Sequence, residues 1–132
     1  MKYLLDTHVA VFRFQDGPQL SDHYHRLLDE EEARGDRVAI SDISLWEIAM
    51  LASRGRLQFA SPLDVWLRAV EAHPAIEVLP ITARIAQDSI AFKSPFPRDP
   101  ADRIIAATAR CHGLQLMTLD GPIRESGAVA VV

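Results

Sequence analysis

The chain has 132 residues, 48% of them hydrophobic, which is enough for one buried core, so we expect a single domain over residues 1–132. Its formal net charge of −4 argues against a protein that holds nucleic acid on a broad basic surface, because phosphate neutralisation supplies much of that affinity. No apolar run reaches the ~20 residues of a membrane-spanning helix, and Asp6 comes too early for a signal peptide. We therefore expect a cytoplasmic protein without a membrane partner.

The first third of the chain alternates between strand and helix patterns. An apolar run at 2–6 predicts a buried strand. Thr7-His8 then begins a helical segment that continues over residues 9–14 and ends at the turn Asp16-Gly17-Pro18. Residues 22–34 form an acid-rich predicted helix, and residues 38–41 form the second predicted strand.

The rest of the chain repeats this alternation. Further helices are predicted at about 43–53, 63–73, 83–92 and 99–112. Further strands are predicted at 77–81 and 115–119, with an additional edge strand at 129–132. Strands that alternate with helical segments of ten or more residues indicate an α/β fold, with a central parallel sheet of four to five short strands flanked by helices.

Two acids stand where predicted strands end. Asp6 closes the first strand, and Asp120 follows the strand at 115–119. In open parallel sheets, ligands bind beyond the carboxyl ends of the strands, so both acids are candidate site residues. Either acid could instead cap the helix that follows it, and its position alone leaves both roles open.

Glu47 is an acid in the middle of a predicted helix. It lies one step round from the apolar stripe, which consists of Leu45, Ile48, Ala49 and Ala52. Burying an ionised carboxylate is costly unless it is paired or binds a metal, so this position favours a functional role. A buried ion pair with an arginine is the alternative.

Two more acids begin the helix predicted from residue 99. Asp102 shares a helix face with Ile105 and Ala106, so it points inward near the positive end of the helix dipole. Asp99 precedes Pro100 and can serve as the N-cap, as a metal ligand, or as both.

Carboxylates from separate segments would repel one another at one sheet edge unless cations were bound. Hard oxygen ligands suit Mg²⁺ or Mn²⁺, one or two ions per site, and this arrangement is typical of two-metal phosphodiester hydrolysis. Such cations would also offset part of the charge of the 18 acidic residues. The histidines show no zinc spacing, and the chain has no glycine-rich phosphate-binding loop.

Four segments of the chain resemble the PIN-domain ribonucleases, specifically the VapC-type toxins of bacterial toxin–antitoxin pairs. They occur in the family's order over nearly the whole chain, and they are Leu4-Leu5-Asp6-Thr7-His8, Ser44-Leu45-Trp46-Glu47-Ile48-Ala49, residues 98–107, and Thr118-Leu119-Asp120. The resemblance implies a PIN-like three-layer fold. One departure is Ala101, which replaces a frequent bulky residue between the two late acids.

The resemblance also implies which residues form the site. The implied catalytic residues are Asp6, Glu47, Asp102 and Asp120. The implied metal ligands are Asp6, Asp99, Asp102 and Asp120. Thr7, Ser44 and Thr118 match small polar positions beside these acids, where a hydroxyl could orient a carboxylate or water, or could simply serve capping and strand packing.

A substrate and partners follow from the same resemblance. It implies RNA cleavage that leaves 5′-phosphate and 3′-hydroxyl ends, and it implies a homodimer. It also implies a cognate VapB-type antitoxin that covers the site and links a larger assembly to operator DNA. Candidate RNA contacts are Arg13, Lys93, Arg98 and Arg103, for which an internal salt bridge or a solvated charge is the alternative.

Three other functions compete with this hypothesis. The acids could bind metal only to stabilise a non-catalytic partner-binding module. A receiver-type signalling domain also has an acidic pocket. That class of domain typically has two adjacent acids after the first strand, where this chain has only Asp6, and a lysine after the last strand, where this chain has Asp120. A PIN-type nuclease of DNA or of RNA processing would share the fold and the site.

Overall fold

A four-stranded parallel sheet forms the centre of the computed structural model, which describes residues 1–15 and 18–132. The strands lie in the order β3-β2-β1-β4, and their bounds are β1 (Tyr3–Leu5), β2 (Val38–Ser41), β3 (Ile76–Leu79) and β4 (Gln115–Met117). Strand β1 pairs with a strand on each side, and its Leu4 lies opposite Ala39 of β2 and Leu116 of β4. Because every pairing is parallel, all four carboxyl ends meet at one edge of the sheet.

Seven helices accompany the strands within the described residues. They are α1 (Thr7–Phe14), α2 (Asp22–Ala33), α3 (Asp42–Ser53), α4 (Leu63–Ala72), α5 (Ala83–Ser89), α6 (Pro100–His112) and α7 (Gly121–Ser126). None of these helices is long and apolar enough to cross a bilayer. Asp16 and Gly17 of the predicted first turn lie outside the described residues.

The two faces of the sheet bury two separate apolar clusters. Side chains alternate along a strand, so Leu4 packs with Ile85 and Ile105 on the α5–α6 face, whereas Leu5 packs with Val9 and Leu28 on the α1–α2 face. Burial on both faces explains why the strands are almost continuously apolar. The predicted α/β fold, with its parallel sheet of four strands between two layers of helices, is confirmed.

The structure corrects several predicted boundaries. Helix α1 begins at Thr7, as predicted, because the Asp6 carboxylate accepts a hydrogen bond from the Thr7 amide and caps the helix there. Helix α5 ends at Ser89, short of the predicted residue 92. The predicted edge strand at 129–132 was wrong, since this stretch makes only an isolated bridge from Val131 to Leu116.

Helix α7 was not predicted. It has only six residues and begins at Gly121-Pro122, a pair more typical of a turn. Proline is tolerated in the first turn of a helix, and the Asp120 side chain accepts a hydrogen bond from the Ile123 amide to cap it. The segment after the last strand is therefore an ordered helix that packs Ile123 into the core.

Candidate functional site

An open cleft of about 570 Å³ lies beyond the carboxyl ends of the strands. Its lining includes every acid that the sequence singled out, namely Asp6, Glu47, Asp99, Asp102 and Asp120. These residues come from four separate parts of the chain, and the parallel sheet brings them to one edge. The structure thus provides the predicted convergence of carboxylates, while the role of each carboxylate stays a prediction.

Asp6 is the most deeply buried of the five acids, with 7% of its surface exposed. It directly follows β1, and its Oδ1 accepts a hydrogen bond of 2.7 Å from the Thr7 amide. Its Oδ2 accepts a hydrogen bond of 2.6 Å from the Thr118 hydroxyl. Burial raises the pKa of this carboxyl, an effect that these two hydrogen bonds and nearby His8 oppose. Asp6 is therefore fixed in orientation through both oxygens.

Thr118 connects the two acids at the strand ends. Its hydroxyl donates to Asp6, and its oxygen accepts a hydrogen bond of 3.1 Å from the Asp120 amide. The side chain of Asp120 in turn caps α7. On the other side of Asp6, the Thr7 hydroxyl donates to Ser44 Oγ at 2.9 Å. All three predicted supporting residues thus form buried hydrogen bonds around the acids.

Glu47 faces the cleft from the buried side of α3. The buried residues of this helix are Ser44, Glu47, Ile48 and Leu51, at spacings of three, four and seven. Burial raises the pKa of the Glu47 carboxyl, and the charges of Asp6 and Asp99 raise it further. The alternative of a buried arginine partner is not found among the side chains that the structure describes. Glu47 is therefore a buried acid without a cationic partner in this part of the chain.

Asp102 shows most clearly that the acids are close enough to interact. Burial, together with the charges of the other four acids, raises its pKa from the ordinary value of 3.8 to about 7. Asp99 caps α6, because its Oδ1 accepts a hydrogen bond of 2.8 Å from the Ala101 amide, and it is exposed at the cleft. Capping engages one oxygen of Asp99 and leaves the other available.

These residues fit a hydrated divalent cation. Their donors are all carboxylate oxygens, and a cation would relieve the repulsion that raises the pKa of Asp102. Within residues 1–15 and 18–132, no three side chains already surround one point as a complete ligand set. Mg²⁺ does not require one, because it keeps several of its waters and uses one or two carboxylates directly.

The four basic residues predicted to contact RNA do not line this cleft. Arg13 donates to Asp29 at 2.7 Å and also contacts Glu32, so its charge is used in an internal ion pair. Arg103 donates to the carbonyl oxygens of Pro97 and Phe92, both at 2.8 Å, and thereby holds the loop before α6. Lys93 and Arg98 are exposed in that loop.

Sequence reasoning missed two other arginines that do line the cleft, Arg54 and Arg56. A signal for one of them was present in the spacing. Met50, Leu51 and Arg54 lie three, four and seven residues after Glu47, which places all four on the same helix face. Once Glu47 was assigned to the site, Arg54 could have been assigned with it.

The chain is similar to proteins of one family over nearly its whole length. Residues 3–127 match the family model described as PIN domain. Ribonuclease VapC22 of Mycobacterium tuberculosis is 37% identical over 122 residues, which cover 92% of this chain and 89% of the relative.

Solved structures share the same architecture. VapBC2 from Rickettsia felis, bound to a DNA fragment from its promoter, superposes with a TM-score of 0.73 at 18% identity, covering 100% of this chain and 98% of the other. FitAcB from Neisseria gonorrhoeae superposes with a TM-score of 0.70 at 25% identity, covering 98% and 95%. The fold of the chain therefore has experimental counterparts along its full length.

Proposed function

The chain belongs to the PIN-domain family, and from its similarity to a VapC ribonuclease we propose that it is a ribonuclease toxin, inhibited by a cognate antitoxin. The observation that carries the proposal is the convergence of five carboxylates in one cleft at the carboxyl edge of the sheet. We further propose that the chain acts as a single domain in the cytoplasm. The resemblance noted from the sequence is confirmed at the level of the family.

We assign the metal ligands from the same cleft. Asp6, Asp99, Asp102 and Asp120 would hold one or two Mg²⁺ or Mn²⁺ ions, because their oxygens are the donors that such ions prefer. When bound, a divalent cation lowers the pKa of water and offsets charge on a scissile phosphate. The hydrogen bonds from Thr7 and Thr118 keep the Asp6 carboxylate in one orientation for this task.

Glu47 is the proposed proton acceptor. Its raised pKa makes it a better base than an ordinary exposed glutamate, and it faces the cleft without a cationic partner in the described chain. Water attacks the phosphorus, Glu47 accepts the water proton, and the bond from phosphorus to the 3′ oxygen breaks. The 3′ oxygen takes up a proton from the solvent, to which Glu47 returns the proton it accepted, so the products carry 5′-phosphate and 3′-hydroxyl ends.

The partners are proposed from the neighbours. VapBC2 is a two-component complex on promoter DNA, which supports a VapB-type antitoxin for this chain and a larger assembly on operator DNA. An acidic cleft also suits a cationic inhibitor segment, because opposite charges favour association. We include a homodimer in this proposal.

The first experiment is cleavage of a mixed RNA by purified protein freed of antitoxin. We expect cleavage with Mg²⁺ or Mn²⁺, none with chelator, and a loss on the order of 100-fold or more in Asp6→Asn. Asp64→Asn is the matched control, since Asp64 is exposed on α4 and does not line the cleft. Analysis of the new ends tests for 5′-phosphate.

A clear result would overturn the proposal. If wild type and Asp6→Asn are equally inactive while both fold and bind Mn²⁺, the chain is a metal-stabilised partner-binding module. Cleavage that continues in the presence of chelator would instead reject the metal-dependent reaction.

A further inference from the structure

Arg54 and Arg56 stand at the rim of the acidic cleft on a well-defined turn. Helix α3 ends at Ser53, and the amides of Gly55 and Arg56 donate to the carbonyl oxygens of Ala52 and Leu51 at 3.1 and 2.9 Å. Gly55 has a φ of 71°, a left-handed conformation that glycine adopts readily. The turn is therefore set by backbone bonds, and it places one arginine on each side of Gly55.

The charges of these two arginines are not used inside the protein. Among the described side chains, neither guanidinium forms an ion pair or a hydrogen bond, and both residues are exposed. Arg13 and Arg110, by contrast, form ion pairs, and Arg103 donates to carbonyl oxygens. Two available cations thus share a cleft with five carboxylates without neutralising them.

Apolar surface accompanies the two kinds of charge. Phe12, Met50 and Leu119 line the same cleft, and Leu119 is 47% exposed. A nucleic-acid strand presents phosphates at regular intervals, with bases and sugars between them. Proteins that bind single strands combine cations for the phosphates with apolar or aromatic surface for the bases.

We propose that Arg54 and Arg56 bind phosphates of the RNA strand beside the scissile bond. A guanidinium presents a planar fork of donors that matches phosphate oxygens. This inference rests on the proposed ribonuclease function and deepens it. It also gives a chain with a net charge of −4 two cations at the cleft that can contact a polyanion.

The test compares Arg54→Gln/Arg56→Gln with a control, Arg26→Gln/Arg68→Gln. The control removes the same charge from exposed positions on α2 and α4 that do not line the cleft. With a single-stranded RNA that the wild type cleaves, we expect KM to rise at least about tenfold in the cleft variant, with kcat nearly unchanged. The control should resemble the wild type.

Salt dependence provides the readout that a merely structural role would not change. The measurement uses an Asp6→Asn background, which should bind RNA without cutting it. Adding Arg54→Gln/Arg56→Gln should make the slope of log affinity against log salt concentration smaller in magnitude by roughly 1.4, about 0.7 for each lost phosphate contact. Arg54→Lys/Arg56→Lys should retain most of the slope. Mn²⁺ affinity without RNA and thermal unfolding should show no loss.

The outcomes separate the two proposals. If the wild type cleaves RNA but the cleft variant and the control have the same KM and salt slope, the assignment of Arg54 and Arg56 is wrong and the ribonuclease stands. If the wild type neither binds nor cleaves RNA, both proposals fail.

Discussion

At the scale of single residues, hydroxyl groups form buried hydrogen bonds beside the acids of the cleft. Thr118 donates to one carboxylate and accepts from the backbone of another acid, so its side chain holds together two strand ends. Sequence reasoning placed Thr118 beside the site but left ordinary strand packing as an equal alternative. A single hydroxyl produces no periodic pattern in a sequence, and its hydrogen-bond partner is known only once the fold is known.

Replacing Thr118 tests this arrangement. Thr118→Val keeps the shape of the side chain but leaves Asp6 Oδ2 without its donor, which should destabilise the fold by about 1–3 kcal/mol. Cleavage should fall by roughly tenfold or more, because the Asp6 carboxylate loses its fixed orientation. Urea denaturation and kcat provide the two measurements. Thr118→Ser should recover both, and full activity in Thr118→Val would show that the hydroxyl is dispensable.

The repulsion among the acids should be visible as a pH dependence of stability. Asp102 has a folded-state pKa of about 7 against an ordinary value of 3.8, so the folded chain holds this proton more tightly than the unfolded chain. Its contribution to stability therefore declines as pH rises from about 4 to 7. Metal-free Asp102→Asn should match the wild type near pH 4 and exceed it above pH 7, by on the order of 2 kcal/mol.

Urea denaturation with chelator at several pH values measures this difference. Asp64→Asn, an exposed acid outside the cleft, is the control and should show no such divergence from the wild type. A difference between Asp102→Asn and the wild type that stays constant from pH 4 to pH 8 would rule out the explanation by charge repulsion.

At the scale of elements, the strand β2 was predicted more closely than the buried face of the helix α3. The bounds of β2 were predicted without error, because an apolar run between polar segments has few other interpretations. For α3, however, the buried stripe lies one step from the predicted one and contains Ser44 and Glu47. Hydrophobicity alone cannot identify a helix face that is buried against a polar cleft.

The loop before α6 supplies a prediction at this scale. Arg103 holds that loop through two hydrogen bonds to carbonyl oxygens, and its guanidinium lies over the Phe96 ring. Arg103→Met should cost about 1–3 kcal/mol, because those carbonyls lose a charged donor. Thermal unfolding measures the loss, with Arg68→Met on exposed α4 as the control. Equal unfolding temperatures for the two variants would contradict this role.

At the scale of the whole molecule, the net charge of −4 does not show where the individual charges lie. The sequence predicted an acidic site, but it did not indicate which arginines would line the cleft, because the fold brings together distant residues that a linear pattern does not connect. Arg13 is close to Asp6 in sequence but is paired with α2, whereas Arg56 is far from Asp6 and lines the same cleft.

Metal binding should stabilise the entire fold. A ligand that binds only the folded state adds about 2.7 kcal/mol at 100 times its dissociation constant. We expect Mn²⁺ to raise the unfolding temperature of the wild type by several degrees and chelator to reverse the change. Asp6→Asn/Asp102→Asn should show little response, and an equal response in that variant would place the metal elsewhere.

The hydrogen bond between Thr118 and Asp6 joins residues 112 positions apart, beyond the carboxyl ends of the neighbouring strands β1 and β4. During synthesis, Asp6 leaves the ribosome long before Thr118 and Asp120 have been translated. For a ribonuclease that attacks RNA, this order has a protective consequence. The nascent chain lacks a complete acidic cleft until β4 and Asp120 have emerged, so any cleavage that needs Asp120 begins only after most of the message has been read.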